Sequence, residues 1–129
     1  MIQDLERAVH LVALHLDRAS LGVTQAEAHV LSQLAKGPAT VGAVHHEFGH
    51  KRSTLTNVLD RLEERGYIER TVNPDDRRSL VVTTTRAGAV AARRVTKVLE
   101  ELEAAVRAEV SARDLAGVAA VADALRRIG

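Results

Sequence analysis

Cysteine is absent from the 129 residues, which removes disulfides, thiolate catalysis, thiol redox sensing and every Cys-ligated metal site. Aromatics amount to 2%, one Phe and one Tyr with no Trp. The core is therefore built from Leu, Val and Ala, a composition that favours packed helices over a β-sandwich. No apolar run reaches membrane-spanning length, and the opening seven residues carry acids where a secretory signal needs a basic region. The expectation is a cytoplasmic protein with no membrane partner. There is no Gly-x-Ser-x-Gly elbow, no P-loop and no dinucleotide-binding glycine turn, so the expectation is also a protein with no cofactor and no enzymatic activity.

Hydrophobic residues make up 46% and charged residues 27%, a balance that folds as one domain of this length. The net charge of +1 is unevenly spread. Residues 51 to 94 hold ten Lys/Arg against six Asp/Glu, and the remainder holds eight against eleven. A basic centre between acidic ends suits a chain whose middle meets phosphate.

Ile2, Leu5, Val9, Val12, Leu16 and Ala19 recur at steps of three and four, an apolar seam along a first helix. Thr24-Gln-Ala-Glu27 is a capping box that opens a second helix, stopped by Gly37-Pro38. Thr40 caps a short third helix ending near Gly49, and a fourth runs from about Lys51 to Arg65 with Leu55, Val58, Leu59 and Leu62 inward. The period then changes. Residues 67–72 and 79–84 are rich in β-branched residues and flank Asn73-Pro-Asp-Asp76, a type I turn with Pro74 at its second position. Beyond Thr85 the helical spacing returns through Val95, Leu99, Leu102, Val106 and Val110. Ser111-Ala-Arg-Asp114 then opens a last helix with Leu115, Val118, Ala122 and Leu125 inward.

Three short helices followed at once by a hairpin is the order of a winged helix-turn-helix, in which the third helix of the module enters the DNA major groove. The expected fold is mainly α with a small β-hairpin wing. Residues 21–85 form the DNA-binding region, and 1–20 with 86–129 form helical dimerisation segments whose seams need a second copy. On the proposed recognition helix Ser53, Thr54, Thr56 and Asn57 are short polar groups for base edges and phosphates, and Lys51, Arg52 and Arg61 supply cations. On the hairpin tip Arg77 and Arg78 suit a narrow minor groove, with Asp76 expected to orient Arg78 through a forked pair.

Leu55-Thr-Asn-Val-Leu-Asp-Arg-Leu-Glu-Glu-Arg-Gly-Tyr-Ile-Glu-Arg70, then Asn73-Pro-Asp-Asp-Arg-Arg78, then Thr84-Thr85 and Gly88, resemble the MarR (multiple antibiotic resistance regulator) family of transcription factors. The resemblance implies a winged-helix homodimer on pseudopalindromic promoter DNA, usually a repressor, often released by a small aromatic or phenolic ligand. It also implies that Arg61 contacts the DNA backbone.

A rival signal is His46-Glu-Phe-Gly-His50, a literal H-E-x-x-H string of the kind that holds zinc in metalloproteases, with Glu47 as the base. That chemistry needs both histidines one continuous helical turn apart, and Gly49 falls where the third helix ends. No catalytic or metal residue is therefore assigned. A metal-responsive regulator using His45, His46 and His50, with His10, His15 and His29 on other helices, is the alternative within binding proteins. Residues 51–129 contain no histidine.

Overall fold

The computed structural model describes residues 1–129. Six helices and three strands follow in the order α1 (Ile2–Arg18), α2 (Gln25–Leu34), β1 (Ala39–Thr40), α3 (Val41–Phe48), α4 (Arg52–Glu64), β2 (Ile68–Val72), β3 (Leu80–Thr84), α5 (Arg86–Arg107) and α6 (Ala112–Ile128). Local chemistry explains most boundaries. Thr24 accepts a hydrogen bond from the Glu27 N–H while the Glu27 carboxylate accepts from the Thr24 N–H, the reciprocal capping box expected at the start of α2. Thr40 caps α3 through the Ala43 N–H, and Ser111 with Asp114 forms a second capping box on α6. Helix α4 ends in a Schellman motif: the Tyr67 N–H reaches the Leu62 carbonyl at 2.9 Å and the Gly66 N–H the Glu63 carbonyl at 2.9 Å, with Gly66 at φ +74°.

The sheet has the order β1-β3-β2, all antiparallel, with Ile68 opposite Thr84 and Val72 opposite Leu80. The third strand was not expected. Ala39 and Thr40 pair with Val82 and Val81, in the middle of β3. The wing is thus a three-stranded stem with a two-stranded projection.

Chain contacts divide the protein into two compact units, Met1–Thr96 and Lys97–Gly129. In the first, Val30, Leu31 and Leu34 of α2, Val44 and Phe48 of α3, Leu55, Val58, Leu59 and Leu62 of α4, and Ile68, Val82 and Ala92 form one buried core. Each large side chain removed from water there contributes about 1.5 to 3 kcal/mol, which is how so few aromatics suffice. The start of α5 is riveted to the end of α4. The Thr85 hydroxyl donates to the Gly66 carbonyl and accepts from the Gly88 N–H, and the Thr85 N–H donates to the Tyr67 carbonyl.

In the second unit no residue of α6 is buried. Val118, 60% exposed, and Leu125 and Ala122, also exposed, do not turn inward as their spacing suggested, and only Leu115 of that seam is half-buried. Two amphipathic helical segments cannot enclose each other's apolar faces. Ile2, Val9 and Val12 of the α1 seam are likewise exposed, with Leu16 alone buried.

Candidate nucleic-acid interface

Helix α4 turns Leu55, Val58, Leu59 and Leu62 into the core, and at 3.6 residues per turn this fixes the opposite face toward solvent. Ser53, Thr56, Asn57 and Arg61 all lie exposed there or at its edge, and Lys51 and Arg52 are exposed at the start of the helix. Thr54 is half-buried at the rim beside the apolar face, so its hydroxyl is set back from the rest. Lys51 occupies the N-cap position without a side-chain cap bond. None of Lys51, Arg52 and Arg61 is paired with a carboxylate, leaving three cations available to an anionic partner. A shallow recess between α3 and α4 is lined by Val41, Gly42, His45, Arg52, Leu55 and Thr56.

The wing tip is held by two consecutive turns. The Asp76 N–H reaches the Asn73 carbonyl at 3.3 Å, closing the turn predicted around Pro74, and the Ser79 N–H reaches the Asp76 carbonyl at 3.0 Å. Asn73 and Asp76 also accept from backbone N–H groups two residues ahead, at Asp75 and Arg78. Such short polar side chains substitute for backbone partners where the chain reverses. Arg77 and Arg78 consequently project from an ordered tip, and the Arg78 side chain is 94% exposed. The forked pair expected with Asp76 is not formed. One carboxylate oxygen of Asp76 takes both the Arg78 N–H at 3.1 Å and, more weakly, its Nε at 3.4 Å. Asp76 therefore fixes the backbone of Arg78 and leaves most of the guanidinium to solvent, because the two-residue separation is too short for a fork to align.

Sequence reasoning missed two arginines that tie this surface together. Arg70 of β2 bonds Glu63 at 2.8 Å and Asp60 at 2.7 Å, both on α4, and these bonds stabilise its charged form. Arg65 bonds the buried Glu27 at 3.2 Å and the Gly22 carbonyl at 2.7 Å, and lies over the Tyr67 ring. Arg65 finds Glu27 and Gly22 38 and 43 positions back, and Arg70 meets Glu63 and Asp60 only 7 and 10 positions back but across the turn from α4 to β2, a reach that no helical or strand spacing announces.

The histidine string takes a shape unlike a zinc site. Helix α3 stops at Phe48, Gly49 is left-handed at φ +73°, and His50 lies beyond the helix. His46 and His50 are therefore not successive turns of one helix. His50 instead packs on Phe48 with tilted rings whose centroids lie 4.5 Å apart, and His29 of α2 packs the same ring at 5.5 Å. Partial burial, then the nearby His50, lower the pKa of His29, with Glu47 opposing. No three acidic or histidine side chains are grouped to hold a metal ion. No helix is long and apolar enough to cross a membrane.

A tri-helical module with a helix exposed at its polar face, followed by a β-hairpin with a basic tip, defines a winged helix-turn-helix protein. Residues 21–79 match the model of the MarR family. YcgE of Bacillus subtilis (strain 168), an uncharacterized HTH-type transcriptional regulator, is 37% identical over 51 residues. The matched stretch is 40% of this chain and spans about a third, 33%, of that protein. Among solved structures, S. aureus MepR in its DNA-binding conformation superposes with a TM-score of 0.84 at 20% identity, covering 100% of this chain and 99% of MepR. NadR in complex with 4-hydroxyphenylacetate gives 0.80 at 20% identity over 99% of this chain and 90% of its own. Overoxidized AbfR bound to DNA gives 0.75 at 20% identity over 99% and 91%.

Proposed function

We propose that the chain is a homodimeric, sequence-specific DNA-binding transcriptional regulator of the cytoplasm, a repressor relieved by a small-molecule ligand. The observation that carries this reading is the pairing of the exposed polar face of α4, with its unpaired Lys51, Arg52 and Arg61, and a wing whose ordered tip presents Arg77 and Arg78. Short polar groups on a helix suit base edges in a major groove, and projecting guanidinium groups suit the narrow minor groove beside it. In this reading Ser53, Thr56 and Asn57 read bases, Thr54 and Arg61 hold phosphates, and Asp76 fixes the wing. The family match over residues 21–79 supports it.

Dimerisation is supported by the apolar residues that α1 and α6 leave in water, including Ile2, Val9, Val118, Leu125 and Ile128. A stripe of this kind is stable when a second copy covers it. Segments 1–20 and 86–129 then make the dimer layer, and 21–85 the DNA-binding region. Relief by a small aromatic ligand is supported by the likeness to NadR, which was solved with 4-hydroxyphenylacetate.

The test begins with selection of duplexes from a random-sequence pool, followed by shift assays on the recovered DNA and light scattering. The expected results are a palindromic consensus, a dimer mass, and loss of both dimer and DNA binding on replacing Leu99 and Leu102 with Asp. A well-folded monomer at micromolar concentration, or recovered DNA with no common sequence, would overturn the reading. Addition of 4-hydroxyphenylacetate to the complex probes the ligand step.

A further inference from the structure

We propose that Arg70 is a positioning residue of the DNA-reading surface, whose charge masks the carboxylates of the recognition helix from the phosphate backbone. The inference rests on the DNA-binding reading above. Asp60 lies one turn beyond Thr56 and Asn57 on the exposed side of α4, and Glu63 follows on its flank. Their side chains are 48% and 44% exposed. A bare carboxylate pair at that position would repel the polyanion that Lys51, Arg52 and Arg61 attract.

The hairpin supplies the remedy. Arg70 leaves the stem of the wing, is 23% exposed, and divides its guanidinium between the two acids, Nη2 to Asp60 and Nε to Glu63. Both bonds are short and charge-assisted, the geometry in which guanidinium outperforms ammonium. One positive charge is thus held permanently against two negative ones, and the face directed at DNA keeps the sign set by its free cations. Arg70 is itself turned toward α4 and touches no groove; its effect passes through Asp60 and Glu63.

Three proteins and one duplex test this: the unaltered chain, Arg70→Met, and Arg70→Met combined with Asp60→Asn and Glu63→Gln, each titrated on a fluorescent duplex recovered by the selection above. Arg70→Met is expected to bind about tenfold more weakly, and the triple variant to return within about threefold of the unaltered protein, since the charges that needed masking are gone. The deficit of the single variant should shrink as salt rises, because the screening length falls from about 10 Å at 0.1 M toward about 3 Å at 1 M. Thermal melting of both variants checks that each is folded. Both variants lose the same clamp, so a merely structural role predicts equal weakening in the two, and that result overturns the proposal. Unchanged binding by Arg70→Met overturns it too. Failure of the unaltered chain to bind any duplex would instead remove the DNA-binding reading, and this inference with it.

Discussion

Substituting Gly88 by Ala inserts a single methyl group where the chain has no room for one. A Cβ built on Gly88 would lie 1.7 Å from the Tyr67 carbonyl oxygen, 2.7 Å from its carbon and 3.1 Å from its Cα. Every one of these atoms is backbone, so no side chain can swing aside. Relief requires α5 to move away from the α4–β2 turn, which pulls the Thr85 N–H from the same Tyr67 carbonyl. Overpacking of this kind costs about 3 kcal/mol, against which the helical preference of Ala over Gly returns about 1 kcal/mol. The net loss of about 2 kcal/mol lowers the melting temperature by roughly 8 °C for a chain of this size. Gly117 of α6 supplies the contrast, because a Cβ there meets nothing within 4 Å and its φ is not in the left-handed region. Gly117→Ala should raise stability by about 0.5 to 1 kcal/mol. Circular-dichroism melts at one fixed protein concentration measure both. A Gly88→Ala protein that melts at or above the unaltered temperature would refute the packing argument.

Arg78→Ala should weaken specific DNA binding by roughly 1 to 3 kcal/mol per lost contact and flatten the log affinity against log salt plot by about two units for a dimer. Asp76→Ala should weaken it less, because its oxygen holds the Arg78 backbone; Arg126→Ala on α6 should leave the salt slope alone, and a shared slope for all three would exclude the wing from the interface. Glu27→Ala removes both the reciprocal cap of α2 and the partner of Arg65, and urea denaturation should show a loss of about 2 to 3 kcal/mol, discounted for the part-exposed Arg65. His29, whose pKa is lowered in the folded chain, takes up a proton more readily when unfolded, so its contribution is present above about pH 6.5 and is lost as pH falls through the folded value. Stability should therefore decline as pH falls below about 6.5 and decline less in His29→Gln; equal pH slopes would count against that assignment.

The helix-turn-helix was legible because its signals are local: a Thr three residues before a Glu, a Gly after an apolar period, a Pro in a turn. Gly49 showed in advance that His46 and His50 could not share a helix, and the structure places the break there. Signals that depend on distant partners were silent. Two residues, Ala39 and Thr40, are too few to display a period, so β1 emerges only from its pairing with β3. Arg65 finds Glu27 across 38 positions, and no spacing rule covers that reach. The seam of α6 was read correctly as apolar and wrongly as inward, because periodicity reports which face wants cover and not whether one chain provides it. The exposed residues of α4 were legible as the complement of a strongly patterned core, whereas the acids that bond Arg70 were visible only as letters.

The short strand β1 has a mechanical consequence. It grips β3 only at Val81 and Val82, so the hairpin from Leu80 to the tip is a cantilever clamped at mid-strand and free at its end. Residues 73–79 carry no third strand and hold their shape by their own turns and by the bonds of Asn73 to Ser79 across the loop. The tip can therefore be lengthened or shortened while the core stays as it was. A one-residue insertion between Val81 and Thr84 has no such freedom, because the two-residue period would exchange buried Val82 for a polar neighbour. Tip length is thus an adjustable dimension of this architecture, and root length is not.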